Sequence, residues 1–95
     1  MIVVISKFQV KSDMVPTFKN AIKPMTKSCK NEANCLDHRL YQDMQNETIW
    51  YTLGTWSSPE SFHEHMTSPR FKETVAKIAD ILTAEPEFSF CQEVD

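Results

Sequence analysis

The chain has 95 residues, 41% of them hydrophobic and 24% charged, with a formal net charge of −3. That is ordinary composition for one globular domain spanning residues 1–95, and no apolar run approaches the roughly 20 residues a membrane span needs. An acidic chain with only two Arg (Arg39, Arg70) and no aromatics interleaved among its Lys is also a poor fit to nucleic acid.

The opening MIVVISKF has no basic stretch ahead of its apolar residues, so no signal peptide is expected and the cytosol is the default location. Three cysteines (Cys29, Cys35, Cys91) with no CxxC spacing make neither a disulfide framework nor a structural zinc site. They read as small buried hydrophobes, with a catalytic thiolate as the residual alternative. Charge is unevenly placed: residues 1–31 carry six Lys against one Asp. Lys19, Lys23, Lys27 and Lys30 fall at helical spacing, which reads as a solvated helix face or, more sharply, as a surface for an anionic partner.

Residues 2–10 alternate as a strand, apolar on both faces in the first half, with Ser6 the lone polar residue among Ile2, Val4, Phe8 and Val10. Ser12 and Asp13 are positioned to cap a helix running to about Asn31, whose apolar stripe is Met14, Phe18, Ile22, Met25 and Cys29. Pro16 suits its first turn; Pro24 removes a backbone hydrogen bond further in and predicts a kink. Asn34 is the residue expected to turn left-handed after that helix. Strands over 35–43 and 48–56 flank a Gln45-Asn46 turn. On the first, Leu36, His38 and Leu40 share a face; on the second, Trp50, Thr52, Gly54 and Trp56 do. Gly54 is the only glycine, and inside a strand it marks a bulge or a close approach.

Two short helices then start at Ser58-Pro59 and Ser68-Pro69, each with a hydroxyl cap followed by Pro at the first helical position. Ser57 with Glu60 offers a capping box in an alternative register. Phe71, Val75, Ile78 and Leu82 form the stripe of the last helix, and residues 87–94 alternate as a final strand.

The order strand, helix, strand, strand, helices, strand is that of an α+β, ferredoxin-like βαββαβ domain: a four-stranded antiparallel sheet with helices on one face. Val3, Ile5, Tyr51 and Leu53 leave much of the other face apolar, which predicts a homodimer with two sheets stacked about 10 Å apart, a dimeric α/β barrel.

At this level of detail the chain resembles the antibiotic biosynthesis monooxygenase family. The similarity rests on E-x-x-C-L (Glu32, Cys35, Leu36), L-Y-x-D (Leu40, Tyr41, Asp43), the strand-ending Trp56 and H-x-x-S-x-x-F (His65, Ser68, Phe71). The resemblance implies a pocket between helices and sheet. Family members oxidise quinol-like or polycyclic aromatic substrates with O₂ without metal or flavin, degrade haem, or isomerise or cleave small signalling molecules. Two departures stand out. Gly54 occupies the place of the family's Glu in E-x-W, which should enlarge or re-aim the pocket. Ser6, His65 and Val75 stand where the haem-degrading branch has Asn, Trp and an axial His, which argues against haem chemistry.

Cofactor-free oxygenation needs a base near neutral pKa, donors for an oxyanion, and apolar walls. His65, one helical turn from Phe62, is the first candidate base and His38 the second. His63 and His65 are two apart and do not converge as a metal pair. Ser6, Thr52 and Trp56 are candidate donors; Phe8, Phe18, Phe62, Met66 and Phe90 are candidate walls. The plainer alternative for His65 is a bond to a backbone carbonyl that holds the short helices together; for Trp56 it is core packing. Two functions stay open. One is a cofactor-independent monooxygenase of a small aromatic or quinol, with O₂ as co-substrate and no metal. The other is a small-molecule binding or isomerase-like dimer without oxygenase activity.

Overall fold

In the computed structural model, which describes residues 1–94, the sheet is built around its first strand. β1 (Ile2–Gln9) pairs antiparallel with β3 (Ile49–Trp56) along its whole length, from Ile2↔Trp56 to Gln9↔Ile49. On its other side it takes β4 (Glu87–Cys91), with Val4 opposite Phe90 and Ser6 opposite Phe88. β2 (Cys35–Gln42) joins the far edge of β3, giving the antiparallel order β2-β3-β1-β4. This is the ferredoxin-like arrangement that the element order predicts.

Helices α1 (Val15–Cys29), α2 (Pro59–Met66) and α3 (Pro69–Ile78) cover one face. The core lies under them, with Phe18, Ile22 and Cys29 of α1 fully buried against Val4, Phe8, Trp50 and Trp56 of the sheet. Phe18 sits tilted between Phe8 and Trp50, its ring centroid 5.5 and 5.6 Å from theirs, which fixes α1 over the centre of the sheet. Both Ser-Pro starts behave as read. Ser58 Oγ accepts the Ser61 N–H at 3.2 Å and Ser68 Oγ accepts that of Phe71 at 3.3 Å.

Four local expectations are corrected. Ser12 and Asp13 make no side-chain cap; residues Ser12–Met14 form a 3₁₀ turn that leads into α1, and α1 ends at Cys29. Asn34 is not left-handed, since no described residue has positive φ. Its carbonyl and side-chain oxygens instead accept the Ser57 N–H (3.0 Å) and hydroxyl (3.2 Å), which ties the α1–β2 loop to the end of β3. The capping box is Ser58 with Ser61, not Ser57 with Glu60. Between Cys35 and Asp37 a bulge breaks the β2–β3 register. One extra residue flips the alternation, so Cys35 is buried while Leu36 is 58% exposed.

The face opposite the helices has no layer over it. Val3, Ile5, Tyr51 and Leu53 are only half-buried there, with Tyr41 exposed beside them. Cys91, expected to be buried, is exposed on the same side, because it lies opposite Val3 rather than Val4.

Candidate functional site

A cavity of about 230 Å³ opens between the helices and the sheet. Its floor is the inward face of the strands: Ser6 and Phe8 of β1, His38 of β2 and Thr52 of β3. Its roof comes from α2 and α3, where Phe62, His65, Phe71 and Thr74 line it. Six of the ten side chains proposed from sequence therefore meet in one place: Ser6, Phe8, His38, Thr52, Phe62 and His65. The other four do not line it. Phe18 is core beneath Phe8. Trp56, 1% exposed, lies behind His65. Met66 packs at the margin of the core. Phe90 is 63% exposed at the sheet edge, its ring against the edge of Phe62 at 5.6 Å. Val75 does line the cavity and offers no ligand atom.

His65 is held from two sides. Its Nδ1 lies 2.9 Å from Glu32 Oε2, and its Nε2 lies 3.7 Å from Cys29 Sγ. A carboxylate only accepts, so Nδ1 carries a proton in this pair, and in the neutral form of the ring Nε2 is the acceptor. The ring is boxed by Trp56 (4.7 Å between centroids), Phe71 (5.1 Å) and Phe62 (5.9 Å). The plainer alternative, an imidazole bonded to a backbone carbonyl, does not hold, since the partners of the ring are Glu32 and Cys29. Only the His65 carbonyl locks the short helices, accepting the Ser68 hydroxyl at 2.7 Å.

Glu32 and Cys29 as partners of His65 are what residue-level reading missed. Glu32 was visible only as the first letter of E-x-x-C-L, and nothing local joins it to a His 33 positions on. The loop does so: Glu32 N–H bonds the Cys29 carbonyl at 3.1 Å and the Cys35 N–H bonds the Glu32 carbonyl at 3.1 Å, which aims the side chain across to α2. Burial, with the Glu32 charge next, pushes the Cys29 thiol up to about 12. It is a thiol at neutral pH, fit to donate weakly to Nε2 and unfit as a nucleophile. Cys29, Glu32 and His65 place S, O and N atoms within 4.8 Å of one another. The carboxylate and the thiol lie on different nitrogens of the His65 ring, Nδ1 and Nε2.

His38 differs. Burial first, then the neighbouring His65, pull its pKa down from 6.5 to about 4, with Lys30 adding to the effect and Asp37 opposing it. It is a neutral imidazole at pH 7, and its buried Nδ1 has no hydrogen-bond partner. Gly54 sets its position. The residues are opposite each other across β2 and β3. A Cβ on Gly54 would lie 2.9 Å from Trp56 Nε1 and 3.0 Å from His38 Cδ2. The space left by the missing side chain is thus filled by His38 and Trp56, and Gly54 itself does not line the cavity. Because Trp56 is locked in the core, any larger residue would drive His38 toward the cavity.

The Lys stripe does not border this cavity; Glu85 is the charged side chain at its wall. A phosphorylated ligand therefore finds no Lys here.

An α+β sheet domain with a largely apolar, two-histidine cavity under its helices is the class defined so far. Residues 1–77 match the family described as Antibiotic biosynthesis monooxygenase, and the chain belongs to that family. Among solved structures, a conserved protein from Methanosarcina mazei Go1 is 30% identical, with a TM-score of 0.92 over 98% of this chain and 92% of that one. A protein described as antibiotic biosynthesis monooxygenase aligns over 100% of both chains at 16% identity and a TM-score of 0.95. A Mycobacterium tuberculosis protein aligns over 99% of this chain and 95% of its own at 19% identity and 0.92. The last two establish likeness of fold. No curated protein matches the chain. Family membership supports a monooxygenase-like function. Among the described residues, no helix is long and apolar enough to cross a membrane.

The His38 environment predicts a pH dependence. Its folded pKa lies below the unfolded value, so the unfolded chain takes up a proton first as pH falls. Stability is unaffected by His38 above about pH 6.5 and is lost progressively from there down to about pH 4, by at most on the order of 3 kcal/mol. Urea denaturation at neutral pH and midway through that window should show the loss in the native chain and a smaller one in His38→Gln; equal losses would contradict it.

Proposed function

We propose that the cavity binds a small hydroxyaromatic or quinol and that the protein catalyses its cofactor-independent oxygenation by O₂. The observation that carries this reading is that His65, at the wall of a largely apolar cavity, is hydrogen-bonded through Nδ1 to Glu32, which lies outside the cavity. Glu32 fixes the tautomer and the ring orientation, so that Nε2 is the atom free to receive a proton. The Cys29 thiol, 3.7 Å from Nε2, makes only a weak contact there, and a substrate hydroxyl would compete with it for the nitrogen. A cavity of about 230 Å³ is smaller than the roughly 300 Å³ at which drug-sized sites begin, which favours a one- or two-ring substrate.

In this mechanism a phenolic O–H gives its proton to His65 Nε2, leaving an electron-rich oxyanion among Phe8, Phe62 and Phe71. Ser6 and Thr52 supply hydroxyl donors at the floor, and His38, neutral at pH 7, contributes polarity without a competing positive charge. The anion delivers its electrons to O₂. One oxygen atom enters the ring carbon, whose hydrogen leaves as a proton, and the O–O bond breaks. The other oxygen departs as water with that proton and the one from the hydroxyl. Phenol plus O₂ thus becomes quinone plus water, and the substrate supplies all four electrons, so the step requires no external reductant.

O₂ uptake with a panel of small phenols and reduced quinones tests the reading. Wild-type protein should consume O₂ with at least one of them. His65→Ala should lose at least a hundredfold in kcat, as expected on removing a general base, and Glu32→Gln should lose less. No uptake by the wild type, or an unchanged rate in His65→Ala, would refute it.

The working unit in this reading is a homodimer, supported by the uncovered face carrying Val3, Ile5, Tyr51 and Leu53. Sedimentation at low micromolar concentration should give twice the 11.0 kDa chain mass, and Leu53→Glu should shift it to monomer. A monomeric wild type would contradict the dimer.

A further inference from the structure

On the far side of α1 from the cavity, the four lysines that stood out in sequence surround a second hollow. Lys19, Lys23, Lys27 and Lys30 line a groove of about 400 Å³ between α1 and the sheet edge formed by β2. Successive turns of a helix place such side chains about 5–6 Å apart along one face. All four are exposed, none has a carboxylate partner among the described residues, and no Asp or Glu lines the groove. An array of like charges is unfavourable unless something compensates it.

Two further features set it apart from a merely solvated face. Thr26, on the same helix, borders the groove and is more than nine-tenths buried, yet its hydroxyl has no hydrogen-bond partner. A buried hydroxyl left unpaired is costly and is normally satisfied. The groove also has apolar surface, from Trp50 and Leu40, on which an uncharged portion of a ligand can lie. Lysine ammonium groups act as point charges, suited to phosphate oxygens met at varied angles.

We infer that this groove is a second binding site, separate from the cavity, for a small molecule bearing two or more phosphate groups. Its phosphates would be held by Lys19, Lys23, Lys27 and Lys30, with the Thr26 hydroxyl, closed to solvent and unpartnered as it stands, turning outward to serve as a neutral donor. The inference is independent of the oxygenation reading, because no residue of the groove lines the cavity. The dimensions favour a compact anion over a polymer, which would extend far beyond a groove of this size.

Amide NMR titration of the full chain with inorganic pyrophosphate and tripolyphosphate, in buffer of constant ionic strength, tests it. Saturable shifts should appear along residues 19–30 and 40–42, with tripolyphosphate binding more tightly. The Lys23→Glu/Lys27→Glu double variant should weaken binding at least tenfold. Thr26→Val should weaken it severalfold while leaving the fold intact by its amide spectrum. Shifts that do not saturate, a response matched by sulfate, or unchanged affinity in the double variant would overturn the inference. So would association confined to anionic phosphatidylserine vesicles, or to acidic peptides, with no pyrophosphate binding.

Discussion

The site depends on one hydrogen bond, between Glu32 and His65, 2.9 Å long and joining the loop after α1 to the helix α2. Without it the imidazole would be free to choose its tautomer and to rotate within its aromatic box. With it, Nδ1 is committed and Nε2 alone is left to receive a proton. The loop that carries Glu32 is held in turn by Asn34 on Ser57, so the end of β3 bears on the chemistry although neither residue touches the cavity. Ser68, by bonding the His65 carbonyl and capping α3, fixes the same helix from its other end.

A second constraint acts through the sheet. His38 and Trp56 both close over Gly54, so the single glycine of the chain serves as a seat for two aromatic rings. The consequence is a division of labour between the two histidines. His65 has a carboxylate partner and belongs to the roof; His38 has none, is desolvated, and stays neutral well below pH 7. Two imidazoles lining one cavity are thereby kept from both being charged.

Much of this was legible in the chain alone. Alternation and helical periodicity located the four strands and α1; β1, β3 and α1 each bury one face at the matching period, whereas β4 alternates although it is exposed along its whole length. The two Ser-Pro starts were readable because capping is a local interaction. Six of the candidate side chains converge because strand alternation puts Ser6, Phe8, His38 and Thr52 on the helix-covered face. What could not be read is equally physical. The bulge after Cys35 moves one residue across the sheet and has no composition signal. Phe18 and Trp56 share their neighbours' inward face but lie a layer too deep to reach the cavity. The partnership of Glu32 with His65 spans two elements, and only tertiary packing makes it.

The claim most central to the site is that Glu32 dictates the tautomer of His65. Nitrogen NMR of the imidazole in its neutral form measures this directly. The predicted result is a protonated Nδ1 and a bare Nε2, reverting in Glu32→Gln. A proton on Nε2 in the native chain, the form that free imidazole side chains prefer, would contradict it.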